Sequence, residues 1–597
     1  PNKALDLTIV QHGVPFNVGI HEYEGDIFSP KGHKYIREYN VDIASSTTYR
    51  VGGVVLQKEF LFCHYTNRML QRYTLLEAHS RTTLRLSPFL AFRDVKMLTH
   101  RNDQYHGDYG QAKSGVTFCL YPGYPTLYLQ LSKAHNFVSD PHWNEHIEYI
   151  KERERGYEYT EDLYVPGYFE VDIEVGESIY FSAGVEEADP DTLAQLFAEE
   201  RNIRTPRDDF RSCLLNAALQ FYYRPDATHG YLLAGYPWFG VRARDLFIAL
   251  PGCTIYADAP ERFYRIMDTV LPDMRAFMRQ EGISKEIRNI NEGDIGLWAI
   301  WTLQEYARWS SLPDMVSRYG DFLDELIHYY LRNVHPNLRI DDNGLCVMTG
   351  DGRPLSWMDA KVNGQAVVRR EGYLVEVNAL WYNALCFYRE ALPQKWTPEL
   401  EELLGRVQQS FCDTFINQHG YLFDYVQPHS SWRDWSVRPN MVFATSLPYS
   451  PLPKATRRSV LEIITRELRT PKGLRSLSPK SDGYQPQCHG TQWQREQSYY
   501  NGSVWPWLLG PYFEACIKLY GRSAISFIEN TLIGMEEELQ QHGVGTVSEL
   551  FDGNPPFKGR GAISFAMSVG ELLRSLALLE EAKSKYDTQI LPIIRYE

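Results

Sequence analysis

The chain carries two acidic segments whose residue types could do chemistry. They are Ser356-Trp357-Met358-Asp359-Ala360-Lys361 and, far along the sequence, Ser548-Glu549-Leu550-Phe551-Asp552-Gly553. Each sets carboxylates among aromatic and small residues, between stretches that read as helices. Carboxyl groups converging from distant loops suit hydrolysis of a glycosidic bond. One protonates the leaving oxygen, and the other activates water or attacks the sugar. Alone, each has a plain alternative: an Asp where a loop meets a helix also serves as a cap. The elements around them decide what they mean.

Composition narrows the classes. At 597 residues the chain exceeds the size at which one core usually keeps growing, so two domains are expected. Its 61 basic and 75 acidic residues give a net charge of −14, which argues against a nucleic-acid surface. The 9 cysteines include no CxxC pair, neither a zinc pattern nor a dense disulfide framework, and the odd count fits a reducing compartment. No apolar run is long enough for a transmembrane helix, and Pro1 to Asp6 form no signal-peptide core, so no membrane partner and a cytoplasmic location are expected. Aromatic residues reach 14%, and many Trp and Tyr lie beside Gly, Pro, Asn and Asp in apparent loops. Sugar rings present flat C–H faces to such rings, while their hydroxyls need polar partners.

The chain changes period partway along. Residues 1–195 read as short strands: Tyr49–Phe60, Arg72–Leu76, Thr82–Leu86 and Thr126–Leu131 alternate or run apolar between turn signals, predicting an antiparallel β-sandwich. The charged run Lys151–Arg155 reads as a solvated face. Residues 205–597 switch to helical spacing, with roughly twelve candidate helices. Their connections alternate. Long loops fall near 282–293, 334–375, 417–438, 471–498 and 544–560; short links fall near 311, 393–396, 448–453 and 521–523. Helices joined by short links run antiparallel, so the long loops share one end. About six hairpins closing on themselves predict an (α/α)6 barrel with both acidic segments at that end. An open superhelix lacks the fixed repeat period it would need.

The helical half resembles the glycogen debranching enzyme family, specifically its amylo-α-1,6-glucosidase domain of bacterial and archaeal type. The resemblance rests on Ala234-Gly235-Tyr236-Pro237-Trp238-Phe239 with Arg244-Asp245, on Leu355 to Lys361, and on Glu376-Val377-Asn378-Ala379-Leu380-Trp381-Tyr382-Asn383. It continues through Gly502-Ser503-Val504-Trp505-Pro506-Trp507 and Ser548 to Gly553 with Arg560-Gly561. Three departures stand out. Relatives open with another strand pair and an Arg-Tyr-His-Gly segment, so either a truncated start or a reduced sandwich is expected here. Arg242-Ala243 stands where Trp-Gly is common, and Tyr500 where His is frequent.

The resemblance implies roles residue by residue. Asp359 becomes the general acid and Glu549 the general base of an inverting reaction, with Asp552 the rival base. Arg244 and Asp245 would fork hydroxyls of the non-reducing glucose, or form a buried ion pair. Trp238, Trp357 and Trp505 are substrate-binding candidates, although Trp505-Pro506-Trp507 equally suits packing at a helix start. Lys361 and Glu376 would bond hydroxyls; otherwise Lys361 holds the acid loop and Glu376 begins its helix. No metal site and no cofactor are implied, since proton transfer and positioning supply the catalysis.

The expected activity is that of an exo-acting α-1,6-glucosidase, a glycoside hydrolase taking single-glucose stubs from glycogen, limit dextrin or isomalto-oligosaccharides. Three alternatives stay open: a glucoamylase-like hydrolase, a disaccharide phosphorylase and a catalytically silent glycan-binding protein. HExxH, GxSxG, Walker and GxGxxG motifs are absent. Oligomeric state is not legible.

Overall fold

The structure, a computed structural model, describes residues 2–587. Two compact units divide between Asp208 and Asp209.

The first unit is built from two antiparallel sheets. One runs in the order Val14–Asn17, Asn2–Gln11, Thr82–Leu90, Thr160–Ile173, Asn136–Glu148, Ile20–Tyr23, Ile27–Lys31. The other runs Gly110–Ala112, Gly115–Phe118, Leu127–Leu131, Ser178–Gly184, Arg68–Glu77, Val54–Phe62, Ser45–Val51, Ile36–Val41. Alternation along the strands puts one set of side chains inward, so Leu7, Ile9, Leu84, Leu86 and Phe169 of the first sheet meet Leu56, Tyr73, Leu129 and Phe181 of the second. That is the expected sandwich. The run Lys151–Arg155 lies on and just after a helical turn, Ile150–Glu154, with no buried residue.

The second unit pairs outer and inner helices. They are α1 (Phe210–Phe221), α2 (Ala243–Cys253), α3 (Pro260–Met278), α4 (Ile295–Trp309), α5 (Leu312–Leu331), α6 (Val375–Ala391), α7 (Pro398–Phe415), α8 (Phe443–Ser446), α9 (Lys454–Glu467), α10 (Leu509–Tyr520), α11 (Ile525–Glu536) and α12 (Ala566–Asp587). Sequence explains which go inside. Every residue of α2 is buried: Arg244 and Asp245 occupy its first turn, and the rest, Leu246–Cys253, is apolar on all sides. The outer α3 instead buries one stripe, Phe263, Ile266, Met267, Val270 and Met274, at spacings of three and four. Side-chain caps from Asp209, Ser311 and Thr397, with Pro260 and Pro398 at first positions, start the outer helices sharply.

The inner helices close into a ring. Successive members α2, α4, α6, α8, α10 and α12 pack on one another, and α12 returns to α2. That last crossing needs glycine, because a Cβ on Gly252 would run into the backbone of Gly570. The result is the (α/α)6 barrel expected from the alternation of connections. Among the described residues, no helix is long and apolar enough to cross a membrane.

Candidate active site

Every outer helix passes to its inner partner through a long segment, and short β-pairs stitch these segments together. Arg242 bridges Arg288, and the Ala243 amide donates to the Arg288 carbonyl at 2.9 Å. Tyr373-Leu374 pairs with Tyr425-Val426, Val504 with Phe551, and Gly235-Tyr236 with Ser564-Phe565. The Val504–Phe551 pair belongs to a small five-stranded sheet that ends in Gly559-Arg560. This stitching fixes loops that helix packing alone would leave free.

The two carboxylates converge on consecutive tyrosines. Tyr499 ends the short helix Gln492–Tyr499, and its hydroxyl donates to Glu549. The hydroxyl of Tyr500, the next residue, donates to Asp359 Oδ1 at 2.8 Å. The two rings lie 5.4 Å apart, so the segments bearing Asp359 and Glu549 meet at one point. The other Asp359 oxygen, Oδ2, accepts from Arg242. The Ala562 amide donates to Glu549 Oε2 at 2.8 Å. Gly561, at φ +67°, leaves room for that contact, since a Cβ there would overlap the carboxylate.

Burial sets the electrostatics. It pushes the Glu549 carboxyl up to about 7, against the Tyr499 hydroxyl, the Ala562 amide and the Arg242 charge. Burial, reinforced by the neighbouring carboxylates, also holds both tyrosine hydroxyls protonated as donors. Asp245 is raised by burial and by Asp359, with Arg242 opposing. Glu292 is raised by burial to about 7, with Arg244 opposing.

The remaining candidates separate into groups. Asp245 lies at the site, 3.5 Å from Arg242 Nε. Arg244 is spent on acids: Nε and Nη2 each reach Asp294 at 2.8 Å, and Nη2 also bonds Glu292. Trp357 and Trp505 are buried, at 4% and 2% exposure. The Trp357 ring meets Tyr500, Trp505 and Trp507 edge-on, and its Nε1 donates to Asn440 at 2.7 Å. Trp505 lies flat against Tyr500, 5.1 Å between centroids at 2°. Both indoles therefore build the floor beneath Asp359. Trp238 is half-buried beside Phe239 and keeps open surface.

Two candidates stand away from the carboxylates. Glu376 is 1% exposed, and both oxygens bond Arg370 at 2.6 and 2.7 Å. Arg370 also holds Asp424 at 2.6 Å and Ser356 at 2.9 Å, so this cluster anchors the Asp359 loop from behind. Lys361 has an exposed side chain on the hairpin Lys361-Val362/Gln365-Ala366. The rival Asp552 is fully engaged: Arg560 reaches it at 3.0 and 2.8 Å, and the Cys488 amide at 2.9 Å.

Sequence reading missed Tyr499, Arg370, Asp424, Asn440 and Asp294. The only signals were a Tyr-Tyr pair before Asn501-Gly502 and an Arg369-Arg370-Glu371 run before α6, neither distinctive without partners in space.

Comparison with known proteins fits this geometry. A family model described as glycogen debranching enzyme N terminal matches residues 3–180, and one described as amylo-alpha-1,6-glucosidase matches residues 216–574. No curated protein sequence matches. Among solved structures the chain is similar to one titled "crystal structure of bacterial glucoamylase complexed with acarbose". The TM-score is 0.55, over 98% of this chain and 89% of that one, at 11% identity, a likeness of fold. The amylo-alpha-1,6-glucosidase match takes in more than half of the chain and both acidic loops. This protein therefore belongs to the amylo-alpha-1,6-glucosidase family, as a glycoside hydrolase of α-glucans.

Proposed function

We propose that this enzyme removes single glucose units from α-1,6 branch points of glycogen or limit dextrin, with inversion. Asp359 serves as general acid and Glu549 as general base. The observation that carries this reading is the tyrosine pair, which brings one carboxylate from each of two distant loops to adjacent anchors.

In the proposed reaction Asp359 protonates the glycosidic oxygen as the bond to the anomeric carbon breaks. Glu549 takes a proton from water as the new C–O bond forms on the opposite face. A base must be ionised yet basic enough to accept that proton, and a carboxyl raised to about 7 meets both needs near neutrality. The preference for Glu549 over Asp552 is supported by the engagement of both Asp552 oxygens. Asp245 is assigned to a glucose hydroxyl, with Arg244 orienting the surrounding acids. Trp238 is assigned as the stacking surface. Lys361 is assigned to the outer rim, and Glu376 to loop support. Trp357 and Trp505 act by packing under the acid.

Charge weighs against phosphorolysis. Around the site Asp245, Glu292, Asp294, Asp359 and Glu549 face Arg242 and Arg244, and both of these guanidiniums are spent on carboxylates. The test is glucose release in phosphate-free buffer from isomaltose, panose and limit dextrin against maltose. Faster release from the α-1,6 substrates is expected; a strict phosphate requirement or preference for maltose would reject the assignment.

A further inference from the structure

Arg242 lies directly against the proposed acid, Asp359. Its guanidinium bonds Asp359 Oδ2 through Nη2, while Nε lies 3.5 Å from Asp245. It therefore bridges the proposed acid and the carboxylate assigned to a glucose hydroxyl. Its charge also lies over the Phe239 ring, 5.5 Å from the centroid, a seat that does not depend on Asp359. With Tyr500 on Oδ1, both Asp359 oxygens are acceptors, and neither offers a proton to a leaving group.

We propose that Arg242 is a positioning residue that incoming glucose displaces from Asp359, so that the acid can be protonated only as the substrate seats. This inference rests on Asp359 being the general acid. The sugar's hydroxyls take over Asp245 and the guanidinium, which stays over Phe239. Asp359 then takes a proton from solvent and passes it to the glycosidic oxygen as that bond breaks. Glu549 receives the proton lost by the attacking water and returns it to solvent, so the cycle balances.

The charges facing this pair come from several elements. Asp245 and Arg244 lie on α2, Glu292 and Asp294 just before α4, Glu496 and Tyr500 at the short loop helix, and Glu549 in the last long loop. Arg242 is the positive charge in contact with Asp359. Taking it away removes the guanidinium that bonds Asp359 and leaves Asp245, Glu292 and Glu496 around it, with Arg244 as the other nearby cation.

The test is Arg242→Gln in the full chain, assayed on isomaltose across pH. The alkaline limb of kcat/KM reports the free enzyme and should move up by about one pH unit or more. The alkaline limb of kcat reports the bound enzyme and should stay in place, because displacement has already occurred there. Arg242→Lys should restore most of the parent kcat/KM profile. If neither limb moves, or both move together, the proposal is overturned. Arg242→Met, which keeps the stem against Phe239, carries the same comparison if Arg242→Gln does not fold. The parent enzyme gives an independent reading: its alkaline limb should lie higher in kcat than in kcat/KM, and coincident limbs overturn the proposal. Full activity in Asp359→Asn would instead reject the acid assignment beneath it.

Discussion

At the scale of single residues, the site is a matter of which proton lies where. Glu549 is buried, and its carboxyl is raised to about 7, so it is half ionised near neutrality. A base works in its ionised form, so activity should fall as pH drops through about 7, giving the acid limb of kcat/KM. Tyr499→Phe removes a hydrogen bond that favours the ionised form and should move that limb to higher pH. A limb that moved down, or held still, would show that Tyr499 does not tune Glu549. Glu549→Gln and Asp359→Asn should each lower kcat by about 10²–10⁴-fold. Steady-state assays on unfolding-matched variants check this. Asp359 and Glu549 were legible as candidates from the two acidic segments. Their donors were not, because Tyr499 and Arg242 resemble packing residues until the loops are folded around them.

At the scale of elements, the long loops behave as a stitched collar held by short β-pairs and buried ions. The strongest anchor is Arg370, which holds Glu376, Asp424 and Ser356 behind the Asp359 loop. All three charged side chains are nearly inaccessible, at 1–3%. Removing the cation leaves buried Glu376 without its ion-pair partner and Asp424 with only Asn440 and the more distant Arg438, and breaking such a buried pair costs about 3–5 kcal/mol. Arg370→Met should therefore lower the unfolding midpoint markedly and reduce activity through a misplaced Asp359. An unchanged midpoint in a thermal scan would contradict the anchor role. Sequence patterning located these loops well, because alternation of long and short connections is a property of spacing. It could not rank Glu376 as anchor or sugar ligand, since a helix-start Glu looks the same in either role. The same limit applied to Trp505: a Trp before Pro reads as platform or packing, and only its stack on Tyr500 distinguishes them.

At the scale of the whole molecule, the barrel follows from helices that differ in how many faces are apolar. Stretches that bury every face, such as α2, move inside, while one-striped stretches such as α3 stay outside. The glycine crossing behind the barrel's closure was hidden in the sequence, because Gly252 and Gly570 stand far apart and only their contact shows why both lack a side chain. Closure gathers all the long loops at one end, which brings carboxylates from two distant loops onto the adjacent Tyr499 and Tyr500. The claim that joins these scales is inverting hydrolysis of an α-1,6 bond by Asp359 and Glu549. Proton NMR of the first glucose released from isomaltose, in phosphate-free buffer and before mutarotation, tests it most directly. The account predicts β-glucose at the outset, lost in both Asp359→Asn and Glu549→Gln. An initial α-anomer would contradict it.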